Sequence, residues 1–200
     1  AFLLNRSSDL EIAIATRDVH SSVVRDALHL LTLAGLITPV KHTNGNGLPL
    51  GAEENDSYVK YLFFDLGVMQ TMLDIPAADI LMVSDLDFVN KGGTSEMFAG
   101  LEMQKYRDCF QKAEMHYWHN TTKGSNAEVD YLKAQNGKVL PIEVKANTQG
   151  GMQSLWIFMR KRHLHNAIRT SLENFGQFDY FDPEENFEQR HIDIIPLYAL

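Results

Sequence analysis

The sequence predicts a mixed α/β protein: an N-terminal helix–strand–loop–strand unit, then a C-terminal core in the order α-β-β-β-α-β-β. Three observations predict it. Val23, Val24, Ala27, Leu28 and Leu31 recur at helical spacing. Apolar and charged residues alternate with period two through "EVDYLKAQNGKVLPIEVK", Glu128 to Lys145. Asn136-Gly137 divides that stretch, and Asn-Gly between alternating runs is the strongest short-range hairpin signal.

The elements follow in order. Asp18 or Ser21 is placed to cap the first helix, and Gly35 sits where it stops. "LITPVKH" reads as a strand, "TNGNGLPLGAEENDS" as a polar loop and "YVKYLFFDLGV" as a second strand. This is the outline of a winged-helix unit. Glu53, Glu54 and Asp56 in the wing position repel phosphate, which weighs against a DNA contact there. Residues 72–92 read as a short helix and a linker. The boundaries are then 1–90 for the winged-helix-like segment with its linker and 91–200 for the second domain. In that domain "TSEMFAGLEMQKYRDCF" is helical, with Thr94 or Ser95 as cap and Glu96 in the first turn. "EMHYWHN" is a strand, and the charged hairpin follows. "MQSLWIFMRKRH" is a helix, and "NAIRTSLEN" and "IDIIPLYAL" are closing strands. Trp118 and Trp156 read as core residues.

Composition narrows the class. Apolar residues make up 44% and charged residues 22%, ordinary for a globular domain. The chain has 18 basic and 26 acidic residues, a formal charge of −8, which argues against a dedicated nucleic-acid binder. A single cysteine, Cys109, leaves no internal disulfide and suits a reducing cytoplasm. No apolar run approaches the roughly 20 residues that span a bilayer. The chain begins without Met and in mid-pattern, as part of a longer protein would.

The hairpin carries the chemistry. With Asn136-Gly137 as the turn, Gln135 pairs with Lys138, Leu132 faces Pro141, Asp130 faces Glu143 and Glu128 faces Lys145. Period-two alternation then puts the four charged residues on one face and Val129, Tyr131, Ile142 and Val144 on the other. Asp130 and Glu143 form a non-hydrogen-bonded pair, with Cα atoms about 4.5 Å apart. Like charges so placed repel. Either one carboxyl has a raised pKa, or a hard divalent cation, Mg²⁺ or Mn²⁺, lies between them. The alternative is a solvated face with a Glu128–Lys145 ion pair. It explains those two residues but not Asp130 against Glu143.

Asp130, followed by Glu143-x-Lys145 on the next strand, resembles the PD-(D/E)xK nuclease superfamily, as does the α-β-β-β-α-β order. The resemblance implies that Asp130 and Glu143 hold Mg²⁺ and that Lys145 orients or activates the attacking water. It further implies an acid on the first core helix, Glu96, with Glu102 as second choice. It also implies a polar residue at the start of the next helix, Gln153. Val129 stands where the superfamily's Pro would precede the Asp. "AGLITPV", "NGLPLGAE", "LFFDLGV", "AEVDYL", "PIEVKA" and "SLENFG" resemble the C-terminal region of a prokaryotic family of AAA-type ATPases. That likeness implies a restriction-endonuclease-like domain of unknown function, an N-terminal ATPase as partner, DNA as candidate substrate and no membrane. No Walker A motif occurs in these 200 residues.

His116 and His119, three apart on a strand, point to opposite faces and do not share a metal. "RKRHLH", Arg160 to His165, is the most basic stretch, suited to phosphate or to a helix C-terminus.

Overall fold

The computed structural model describes residues 21–74, 91–106, 110, 114–145 and 151–200. The expected cap Asp18, the linker over 75–90 and Cys109 lie outside the described residues. Helix α1 (Ser21–Leu33) leads into β1 (Ile37–Thr43). Val23, Leu30 and Leu33 on α1 remain exposed. The loop that follows holds one 3₁₀ turn, Leu50–Glu53, and β2 (Glu54–Phe63) starts inside the stretch expected to be loop. The acids of this loop are spoken for. Glu53 accepts from Asn46 at 2.8 Å, and Glu54 holds Lys41 at 2.6 Å and His116 at 2.7 Å. Asp65 caps α2 (Leu66–Met72), its carboxylate accepting the Val68 N–H at 3.1 Å.

The core helix α3 spans Lys91–Lys105. Thr94 and Ser95 therefore lie inside it and do not cap it. Gly92-Gly93 reads as linker by propensity, but the packing of Met97 and Ala99, both fully buried, extends the helix through it. Then come β3 (Met115–His119), β4 (Glu128–Gln135) and β5 (Lys138–Glu143). Helix α4 (Gln153–Arg162) follows, then β6 (Asn166–Ser171), β7 (Gly176–Asp182) and β8 (Glu188–Pro196). Strand β7 was not expected. It is a sheet-edge strand with mostly exposed residues, and the alternating Phe178 and Tyr180, which pack on the core under α4, are the signal that could have found it.

These strands form one sheet in the order β2-β1-β3-β4-β5-β6-β8-β7. The β1–β2 hairpin is joined to the rest because β1 runs parallel to β3, with Val40 opposite Met115. The pairs β3–β4 and β4–β5 are antiparallel, and β5–β6 and β6–β8 are parallel. Both faces are covered. One core, with Val129, Leu132, Leu155, Phe158 and Ile192, lies under α4. The other, with Val40, Leu62, Met97, Tyr131 and Ile142, lies under α3. Trp118 and Trp156 are buried in the first.

Asn136 and Gly137 both have positive φ, 50° and 75°, as the two-residue hairpin turn requires. Gln135 pairs with Lys138, and the expected register holds through Leu132↔Pro141 to Tyr131↔Ile142. Two features then depart from expectation. The ladder ends there, before Asp130 and Glu143 pair. On the other side of β4, the pairs His116↔Leu132 and Trp118↔Val129 leave Asp130 and Tyr131 opposite the single residue Tyr117. This is a bulge, and it breaks the alternation. Val129 joins the core under α4 while Tyr131 joins the core under α3, so the expected single apolar face is not formed.

The basic stretch after Phe158 serves the fold. Arg160 Nη1 meets Asp182 Oδ1 at 3.2 Å, Lys161 donates to Asn120 Oδ1 at 2.9 Å and Arg162 Nε donates to the Asn44 carbonyl at 2.8 Å. Asp182 also pairs with Arg190 at 3.2 Å; neither is exposed, and together they tie β7 to β8. His163 closes α4 in the left-handed conformation.

Candidate functional site

The site gathers where β4 and β5 part. Beyond Tyr131 the next N–H of the ladder region, that of Val144, is taken by the Asp130 carboxylate at 2.7 Å. Helix α3 brings Glu96 to the same place. Tyr131, paired with Ile142 and on the same side of the sheet, donates its hydroxyl to the Glu96 carbonyl at 2.7 Å. Gly100, one turn on, allows the close approach, since a Cβ there would lie 2.5 Å from Tyr131 Oη and from Leu62 Cδ1. Glu96, Glu128 and Asp130 each offer a carboxylate oxygen, and these oxygens lie within 4.8 Å of one another.

A lysine not anticipated from the sequence occupies this cluster. Lys60, on β2, is 1% exposed. Its Nζ lies 2.8 Å from Glu96 Oε1, is bonded to Glu128 Oε1 and stands 4.5 Å from the centre of the Tyr117 ring. Burial works against the ammonium, but Glu96, Glu128 and Asp130 outweigh it and raise the pKa. The only sequence signal is a lysine between Tyr58 and Leu62 on the core side of an alternating strand.

Glu143 is 4% exposed and stands beside this trio. Its Oε1 holds the Lys145 ammonium at 2.7 Å, and its Oε2 is buried without a hydrogen-bond partner. The Glu128–Lys145 ion pair of the alternative reading is not made, because Lys60 takes Glu128 and Glu143 takes Lys145. Thr170, fully buried on β6, seats Lys145. Its hydroxyl accepts the Lys145 N–H at 2.9 Å and donates to the Lys145 carbonyl at 3.2 Å. Thr170 was also not anticipated.

Electrostatics follow from this crowding. Burial, then the charges of Glu96 and Glu143, push the Asp130 pKa well above the carboxylate range. Burial likewise raises Glu143, against the pull of Lys145. Burial opposes the Lys145 charge, but Glu143 raises its pKa overall. Beside Lys60, His119 stacks on Tyr117 and meets Tyr58 edge-on; the His42 imidazole is tilted against it, with the two ring centres 4.4 Å apart. Burial, with help from His42 and Lys60, lowers His119 to about 4, so it is neutral at pH 7. His116 instead binds Glu54, so the two histidines of β3 serve different places, as expected.

The structure thus brings together Glu96, Glu128 and Asp130, with Glu143 and Lys145 adjoining. Two expected residues stay apart. Glu102, two turns along α3 from Glu96, pairs with Lys105. Gln153 is exposed at the start of α4.

A family described as a domain of unknown function (DUF4143) matches residues 91–199, more than half of the chain. The chain belongs to the DUF4143 family. The DUF4143 match covers every candidate acid and Lys145, while Lys60 comes from the hairpin before it. No curated protein and no solved structure matches the chain. Among the described residues, no helix is long and apolar enough to cross a membrane.

Proposed function

We propose that this chain carries a site for Mg²⁺- or Mn²⁺-dependent hydrolysis of phosphodiester bonds, with DNA as the substrate class. In this reading it is the C-terminal region of an AAA-type ATPase. Residues 91–200 form a PD-(D/E)xK-like domain, and residues 1–90 a winged-helix-like part working in the cytoplasm. The observation that carries the reading is a surplus of acid, buried at Glu96 and Glu143 and half-buried at Glu128 and Asp130. Four carboxylates, Glu96, Glu128, Asp130 and Glu143, surround two ammonium groups, Lys60 and Lys145. Arg169, the strand neighbour of Glu143, adds one more positive charge, and among the described residues the acids stay in excess. Uncompensated buried charge is costly, and a divalent cation offsets it.

The donor set fits such an ion. It is all oxygen, as Mg²⁺ and Mn²⁺ prefer, and Glu143 Oε2 is buried with nothing bonded to it. Asp130 and Glu143 would hold the ion, with Glu96 beside them. When bound, the ion lowers the pKa of water and offsets charge on the phosphate. The protein groups do the rest. The Val144 N–H fixes the Asp130 carboxylate. Thr170 fixes the Lys145 backbone, and Glu143 aims the Lys145 ammonium, which puts positive charge next to the developing oxyanion.

A second reading, a silent module that docks or positions DNA for the ATPase, draws on one observation: Lys60 already neutralises part of the acid cluster. One assay separates the two. This chain, and the longer protein with its ATPase region, are incubated with linear and supercoiled DNA and Mn²⁺. Cleavage is expected, and Asp130→Ala or Lys145→Ala should reduce it by about 100-fold or more. No cleavage by the parent, or equal cleavage by all three, removes the nuclease reading.

A further inference from the structure

We propose that Lys60 is a built-in cation that fills one of two cation positions in the acidic centre, so that a single divalent ion is confined to the Asp130–Glu143 side. The inference rests on the metal-site reading above and goes beyond it by fixing how many ions the centre holds.

Hydrolytic centres with two metal ions place them about 3.5–4 Å apart, sharing carboxylates. Glu96, Glu128 and Asp130 form one cluster with Glu143 adjoining, and its two ends differ. Glu96 and Glu128 are bridged by the Lys60 ammonium, which hydrogen bonds to both. Glu143 has one oxygen buried and unbonded, and Asp130 carries a single backbone hydrogen bond on Oδ2. At the Glu96–Glu128 end one ammonium is bonded to both carboxylates; at the other end Lys145 pairs only with Glu143 Oε1 and leaves Oε2 unbonded. Lys60 is not a surface lysine that happens to fold inward. It comes from β2, in the hairpin outside the matched family region, and is 1% exposed. The Tyr117 ring lies 4.5 Å from its Nζ, closing a third side. An ammonium held on three sides does not yield to an ion arriving from solvent.

The test counts ions instead of turnover. Metal-free protein is titrated with Mn²⁺ by calorimetry at neutral pH, and bound Mn²⁺ is counted by electron paramagnetic resonance. The parent and Lys60→Arg should each bind one ion per chain. Lys60→Met, which empties the position between Glu96 and Glu128, should bind two. Two ions in the parent, or one in both the parent and folded Lys60→Met, overturns the role of Lys60 and leaves the metal site standing. No ion in the parent but one in Lys60→Met keeps Lys60 as a cation in a metal's place and removes the metal reading of the parent. No ion in either removes both. If Lys60→Met folds only with Mn²⁺ present, ions are counted in that folded form. If it stays unfolded at saturating Mn²⁺, the inference fails, because an ion in the vacated position should restore the fold.

Discussion

Lys60→Met is expected to destabilise the metal-free protein by about 3–5 kcal/mol at neutral pH, the usual cost of removing one partner from a buried charge cluster. Methionine matches the length of the lysine stem and packs beside Tyr117 and Leu62, so little volume is lost. What is lost is the only positive charge bonded to both Glu96 and Glu128 among the described residues, whose oxygens lie within 4.8 Å of each other. Urea unfolding monitored by circular dichroism measures the change. Pairing Lys60→Met with Glu96→Gln should recover part of it, since the amide removes one of the two stranded charges. A change within about 0.5 kcal/mol, typical of surface substitutions, would mean that Lys60 is not held as described.

Asp130→Asn is expected to act in the opposite direction and stabilise the metal-free protein. The amide oxygen still accepts the Val144 N–H, while the charge crowded by Glu96 and Glu143 is gone. Each kcal/mol of relief raises the melting temperature by about 2–4 °C in a chain of this size. The effect has a pH signature. The folded-state pKa of Asp130 is raised above its ordinary value of 3.8. Its stabilising contribution is therefore complete below that value and lost as pH rises through the folded pKa. The advantage of Asp130→Asn over the parent should thus be near zero around pH 4 and grow toward pH 8. His42 and His119, whose lowered pKa values destabilise the fold as pH falls below 6.5, are present in both proteins and drop out of the difference. Melting curves of both proteins in chelator across this range test it. A gap that shrinks as pH rises contradicts the burial of an ionised Asp130.

The hairpin was legible because Asn-Gly fixes a turn locally, and period-two alternation then fixes the register as far as Tyr131↔Ile142. Alternation carries no sign of a bulge, so the sequence misplaces Val129 relative to Tyr131. The bulge depends on β3, a strand separated from β4 by a loop, and it turns Val129 to the core under α4 while Tyr131 keeps the face of Ile142. Lys60 and Thr170 were missed for the same reason. Each meets the site only through sheet pairing across long sequence separations, 36 residues from Lys60 to Glu96 and 25 from Lys145 to Thr170. Glu102 was expected as second choice on the ground that it shares a helix with Glu96. Glu96 is instead set apart by Gly100, which brings that turn of α3 down onto the sheet. Strand β7 was missed although Phe178 and Tyr180 alternate along it with period two and pack on the core under α4.

The central claim is that the acid surplus around Asp130 and Glu143 is a divalent-cation site. The most direct measurement is the melting temperature of the parent and of Asp130→Asn with and without millimolar Mn²⁺. An ion that binds only the folded state stabilises it by mass action, about 2.7 kcal/mol at one hundred times its Kd. The account predicts a rise of several degrees in the parent with Mn²⁺ and little or none in Asp130→Asn. An unchanged parent, or the same rise in both proteins, would contradict it.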